Sequence, residues 1–187
     1  MKLHDGIGGR LREFVEAQPM FFVATAPSGG GGHVNVSPKG MAGTFAVLGE
    51  HRVAYLDFHG SGAETIAHLA ENGRITIMFC AFQGPPNIVR LYGTGRAVPV
   101  TDPEFAELLK LFPDARDTHG ARSVIDVDVH RVSDSCGYSV PLMSYEGDRD
   151  LLIRAHERRS DDDLAQYRRV KNGQSIDGRP IFAQEQR

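Results

Sequence analysis

The chain has 187 residues, 41% of them hydrophobic and 24% charged, with a formal net charge of −3. The length fits one domain with an appended tail, and the composition supports a packed core. The acidic balance argues against a nucleic-acid binder that works by neutralising phosphates. The sequence shows no run of about 18 apolar residues for a membrane span and no apolar N-terminal segment of the secretory kind. Two cysteines, Cys80 and Cys136, cannot build a disulfide framework, so a cytoplasmic protein is expected.

In chain order, Ile7, Leu11, Phe14 and Val15 recur at helical spacing and predict a helix over residues 7–17, ended by Pro19. Met20–Thr25 reads as a buried strand. Residues 27–32 carry four consecutive glycines without a following helix and read as a hairpin turn. His33–Ser37 alternates, with Val34 and Val36 on one side and His33, Asn35 and Ser37 on the other; Pro38-Lys39-Gly40 is expected to break it. Strands follow over 44–48 and 52–58, then a helix over 66–72 closed by Asn72-Gly73. Residues 74–82 and 88–100 are long strands, the second interrupted by Gly93 and Gly95 as at a bulge or barrel bend. A helix over 102–112 and an alternating strand over 122–132 complete the pattern. From residue 133 the periodicity stops. Residues 148–170 read as two short polar helices docked through Leu151, Leu152, Leu164, Tyr167 and Val170, and 171–187 as a tail anchored by Ile176, Ile181 and Phe182. Six or seven strands with few helices, only one of which interrupts the first five strands, predict a mainly β fold, an antiparallel barrel or sandwich. The expected division is a barrel domain over 1–135 and a C-terminal loop, helices and tail over 136–187.

Candidate chemistry centres on Gly60-Ser61-Gly62-Ala63-Glu64-Thr65, between a strand and a helix. The N–H groups of a helix start can hold a phosphate. Ser61 and Glu64 equally fit a capping box that needs no ligand. Lys39 follows a polar strand face and supplies a point charge suited to an anion. Arg90 sits within an apolar strand and must reach water, an anion or a second subunit. No nucleophile elbow occurs, and the eight histidines show no ligand spacing, so no metal is expected. Asp126, Asp128 and His130 share a strand face that reads as solvated. Tyr138 is a candidate on the substrate side.

Taken together, Asn35-Val36-Ser37-Pro38-Lys39-Gly40, then Tyr55-Leu56-Asp57-Phe58 running into Gly60–Thr65, then Asn72-Gly73-Arg74-Ile75-Thr76-Ile77-Met78-Phe79 and Arg90-Leu91-Tyr92-Gly93-Thr94-Gly95, resemble the pyridoxamine 5'-phosphate oxidase-like family of FMN-binding split β-barrels. The resemblance spans about residues 10–132. It implies a six-stranded antiparallel split β-barrel that forms a homodimer, with FMN at the subunit interface. By this resemblance Ser61 and Thr65 hold the phosphate with Lys39 as cationic partner. Asn35 and Ser37 flank the ring, Asp57 and His59 lie near the ribityl chain or ring edge, and Arg90 reaches the cofactor of either subunit. Glu64-Thr65 stands where the named oxidases carry an arginine–lysine pair, and their C-terminal Arg-x-His element is not evident. A true pyridoxamine phosphate oxidase is therefore not expected.

The functional expectation is an FMN-dependent oxidoreductase passing hydride or electrons to a small-molecule substrate. The alternatives are a non-catalytic flavin or haem carrier or sensor and a reductase that uses the deazaflavin F420.

Overall fold

Period-two alternation sets the architecture, because each strand buries one face. The computed structural model describes residues 1–182. Its elements run β1 (Lys2–His4), α1 (Gly9–Glu16), β2 (Met20–Thr25), β3 (Asn35–Gly40), β4 (Phe45–Gly49), β5 (Arg52–Phe58), α2 (Glu64–Asn72), β6 (Arg74–Cys80), β7 (Ile88–Pro99), α3 (Phe105–Leu109), β8 (Ala121–Ser135), α4 (Leu151–Glu157) and α5 (Asp161–Lys171). The strands join one antiparallel sheet in the order β3-β2-β6-β7-β8-β5-β4, with β1 paired to the distal half of β8. The sheet curls into a split β-barrel. β8 holds β7 along its length, β5 at its start and β1 near its end. The register shifts at Tyr92/Gly93, where a Cβ on Gly93 would collide with the Asp128 carbonyl oxygen. A glycine is needed for the strands to close there.

The alternating inner faces meet in one main core. Phe21 is its aromatic centre, with ring centroids 5.0 Å from Phe45, 5.4 Å from Tyr55 and 5.5 Å from Phe79. Ile66, Ala67 and Leu69 of α2 belong to this core. A second cluster forms beneath α3, where Phe105, Leu108 and Phe112 cover Leu56, Val98 and Val124.

Two differences from the sequence reading have physical causes. β1 went unread because three residues cannot display alternation. β3 is not broken at Pro38-Lys39-Gly40 but runs through Gly40, paired with Met20–Thr25. It is the edge of the sheet, and an edge strand hydrogen-bonds on one side only, which tolerates a proline. The continuation extends the alternation, so Lys39 joins Asn35 and Ser37 on one face.

Residues 148–170 do form two helices. Leu164 is buried, whereas Leu151 and Val170 are exposed. In the tail, Ile181 and Phe182 enter the main core and Ile176 stays exposed; residues 183–187 of the expected tail lie outside the described residues. No helix among the described residues is long and apolar enough to cross a membrane. Burying one large apolar side chain is worth about 1.5–3 kcal/mol. A chain ending at Asn172 is therefore expected to lose roughly 3–6 kcal/mol of stability in urea unfolding, whereas Ile176→Ala changes it by no more than about 0.5 kcal/mol.

Candidate functional site

β5 ends and β8 begins side by side, with Asp57 opposite Ser123. This register brings together Asp57 and Arg122, which are 1% and 2% exposed. Arg122 Nε donates to Asp57 Oδ2 at 2.6 Å, and Lys39 Nζ donates to Asp57 Oδ1 at 2.8 Å. Burial alone would raise the Asp57 carboxyl; Arg122 and Lys39 outweigh it and hold the group far below the usual carboxylate range. The rest of the Arg122 guanidinium shapes the loop after β5. Nη2 donates to the Gly62 carbonyl at 2.7 Å, and Nη1 to the Gly60 carbonyl at 3.4 Å and to Asn172 Oδ1 at 2.9 Å. Asn172, which closes α5, returns Nδ2 to the Gly60 carbonyl at 2.9 Å.

A second buried set fixes the same loop from behind. His59 Nδ1 donates to the Gly120 carbonyl at 2.8 Å, and Nε2 accepts from Arg168 Nη1 at 3.0 Å. That is the neutral tautomer, and burial, first among the causes, pushes the imidazole down to about 4. His156 of α4 places Nδ1 2.6 Å from Asp117 Oδ2 and Nε2 3.2 Å from the His59 carbonyl. A Cβ on Gly120 would overlap the His156 ring, so only glycine admits this packing.

On the other side, β3 faces the start of α2. Ser37 Oγ donates to Asn35 Oδ1 at 3.0 Å; Asn35 Nδ2 reaches Thr65 Oγ1 at 3.1 Å and Thr25 Oγ1 at 3.3 Å. Between these walls runs a groove of ≈ 990 Å³, at the upper end of the roughly 300–1,000 Å³ of small-molecule sites.

Asn35, Ser37, Lys39, Asp57, His59, Ser61 and Thr65 all border this groove, and Arg90 does not. Arg90 lies on the outer face of β7 with Nη1 3.1 Å from Ser135 Oγ. The capping box is not formed. Ala63 occupies the N-cap of α2 without a side-chain bond, Ser61 is exposed, and the Glu64 carboxylate accepts from the Ile176 N–H at 3.1 Å. The tail thus competes successfully for Glu64. Tyr138 is exposed and does not line the groove. Asp126 is no solvated residue: it binds Arg52 at 2.9 Å and Arg96 at 2.8 Å, away from the groove lining. Among the described residues no cluster of metal-ligating side chains occurs.

Arg122, Asn172 and the segment 143–152 escaped the sequence reading. Arg122 carried a usable signal, being a cation at the start of an apolar alternating strand, as Arg90 is within one. Asn172 and residues 143–152 reach the groove only through tertiary folding.

Residues 7–136 match the family model described as Pyridoxamine 5'-phosphate oxidase, and the chain belongs to that family. It is 39% identical over 191 residues to the pyridoxamine 5'-phosphate oxidase family protein ustO of Aspergillus flavus, covering 95% of this chain and 76% of the relative. Among solved structures, a heme binding protein from Mycobacterium smegmatis is similar with TM-score 0.50 at 20% identity, over 68% of this chain and 53% of that one. An FMN-binding protein from Syntrophomonas wolfei is similar with TM-score 0.45 at 14% identity, over 70% of this chain and 82% of that one.

Removing one partner of a buried ion pair costs about 3–5 kcal/mol. Asp57→Leu and Arg122→Met are each expected to destabilise on that scale, and the double variant by less than their sum, in a urea double-mutant cycle. Both titrating groups have depressed folded values, so each contributes stability at higher pH that is lost on acidification. His59 acts first: its contribution falls away from about pH 6.5, the unfolded value, down to about 4. Asp57 follows only below about pH 3.9. His59→Gln is expected to flatten the first part of the stability–pH curve and leave the second.

Proposed function

We propose that this chain is a homodimeric FMN-dependent oxidoreductase, with the flavin bound in the β3–α2 groove. The observation that carries the reading is the convergence of donors. Asn35, Ser37 and Lys39 form a row on one face of β3. They confront Thr65 and the first turn of α2, whose leading N–H groups have no helical acceptor. A phosphate placed there meets hydroxyls, backbone N–H groups and the Lys39 amine, which commits one hydrogen bond to Asp57. Glu64 also lines the groove; its carboxylate accepts from the Ile176 N–H, which orients it toward the tail backbone. The donor set fits FMN. Bound there, FMN would supply two-electron hydride chemistry, while this chain orients it and excludes water. With Arg122 spent on Asp57 and on carbonyls, the cation supply is small, consistent with an oxidoreductase other than a pyridoxamine phosphate oxidase.

The groove's histidine argues against haem. Both His59 ring nitrogens are hydrogen-bonded within the protein, so it offers no proximal ligand to iron.

Homodimerisation has its own support. Two rungs cross the outer face of the sheet: Val36, Ala24, Thr76 and Tyr92, and beside them Pro38, Phe22, Met78 and Arg90. Val36 is 62% exposed and Pro38 is exposed, while the other six are partly so. A broad apolar face with one guanidinium suits a second copy of the chain.

Purified protein is expected to be yellow and to release FMN on denaturation, identified by mass spectrometry. Lys39→Ala should weaken FMN binding by roughly tenfold or more, the value of a hydrogen bond to a charged group. Colourless protein that takes up no added FMN would refute the reading, and tighter binding of F420 would replace the cofactor. Bound flavin that no nicotinamide donor reduces would favour a carrier. Met78→Glu is expected to shift the dimer to monomer in size-exclusion chromatography.

A further inference from the structure

Part of the groove wall comes from the C-terminal extension, where Met143, Tyr145, Leu151 and Leu152 line it together with Ser144, Glu146, Asp148 and Arg149. Residues 143–150 form a strap without regular structure that crosses the groove mouth. It is pinned at one end by the Met143 N–H on the Phe82 carbonyl at 2.9 Å, and at the other by Asp148 Oδ2, which accepts from the Ala42 N–H at 2.9 Å. Tyr145 OH donates to Asp148 Oδ1 at 2.9 Å, which stiffens the strap between the pins. Met143, Tyr145, Leu151 and Leu152 line the groove opposite Met20 and Met41.

These side chains are conspicuously uncovered. Of the twelve large hydrophobic side chains exposed among the described residues, six lie between residues 138 and 152. Four of those six face the groove. Apolar surface gathered along a concave wall marks a binding site more than scattered surface residues do. The charges decide what kind of molecule it takes. Arg122 is spent on Asp57 and on the Gly60 and Gly62 carbonyls, and Lys39, shared with Asp57, belongs to the cofactor side. At the strap end Arg149 is accompanied by Glu146 and Asp148, a local balance that does not favour an anion.

We infer that the strap and the start of α4 form the substrate subsite of this groove, and that it takes a neutral, apolar, ring-sized molecule and not a phosphorylated one. The inference rests on the flavin reading, since it assigns the β3–α2 side of the groove to the cofactor and the strap side to the substrate. Met143, Leu151 and Leu152 supply apolar contact, and Tyr145 a flat amphipathic wall. The methionines on both sides let the subsite adapt to ring shape.

The test uses full-length protein with its bound cofactor and two probes, 2-methyl-1,4-naphthoquinone as the neutral ring and pyridoxal 5'-phosphate as the charged one, in isothermal titration calorimetry. The quinone is expected to bind more tightly than the phosphate ester. Leu152→Glu and Met143→Glu, both at exposed positions, are each expected to weaken quinone binding roughly tenfold by placing a charge against an apolar ligand. Thermal midpoint and flavin content should stay unchanged. Three results would overturn the inference: phosphate-ester binding as tight as the quinone's, quinone binding indifferent to both variants, or a dimer-to-monomer shift in the variants, which would assign the strap to a second copy. Flavin content is read in every sample. Yellow protein that ignores the quinone overturns the subsite alone; colourless protein that takes up no FMN overturns the subsite and the cofactor reading together.

Discussion

The guanidinium of Arg122 is the fixed point of this site. A buried ion pair is a weak source of net stability, because desolvation consumes most of the Coulombic gain. What Arg122 provides is geometry. Its planar fork addresses Asp57, the carbonyls of Gly60 and Gly62, and Asn172 at once, which the single ammonium of a lysine could not do. The loop after β5 would otherwise be free to vary, since it contains glycines at 60 and 62. Arg122 draws two of its carbonyls inward and so fixes how α2 begins. The same carboxylate that anchors Arg122 also holds Lys39 at the groove wall, so one aspartate sets the position of both cations.

The C-terminal extension is attached in two chemically different ways. Polar bonds from Arg168, His156 and Asn172 fasten α4 and α5 behind the loop. Farther on, Ile181 and Phe182 plug into the main core, and Arg179 pairs with Glu71 of α2 at 2.7 Å. The apolar plug supplies most of the free energy, since each burial exceeds the net value of a typical hydrogen bond. The polar bonds supply register, because each needs its partner at a definite distance. His59 shows the division clearly. It borders the groove, yet both of its nitrogens serve the protein, so its work is to align the extension with the barrel.

The barrel was legible in the sequence because alternation is a local signal. Ile125, Val127 and Val129, or Ile75, Ile77 and Phe79, announce their strands without any tertiary information. The groove face of β3 was legible only in part, because a proline normally ends a central strand and nothing local declares β3 to be an edge. The capping box that Ser61 and Glu64 offered does not form, for a related reason. The local partner was present in sequence, but the Ile176 backbone, 112 residues away, is the one that binds Glu64. Asp57, Lys39 and Thr65 were named in the sequence as residues near a phosphate or sugar. Their mutual geometry follows from Arg122, whose signal was the same as that of Arg90, a cation in an apolar strand. Arg122 sits at the register shift where Ser123 faces Asp57 and Ala121 faces Phe58, and an irregularity between two paired strands is not a property of either segment alone.

The exchange at the start of α2 ties these points together. An arginine–lysine pair there would hold a phosphate by net charge and would draw in phosphorylated substrates as well as the cofactor. Glu64-Thr65 removes that attraction, and the Ile176 N–H orients the Glu64 carboxylate toward the tail without removing its charge. What is left is a cradle of directional donors, Asn35, Ser37, Thr65 and helix N–H groups, with one lysine already shared. Such a cradle selects by shape and hydrogen-bond geometry more than by charge. The same chain lines the rest of the groove with Met143, Tyr145, Leu151 and Leu152 among polar neighbours. The two walls come from distant places in the sequence that only the fold brings together.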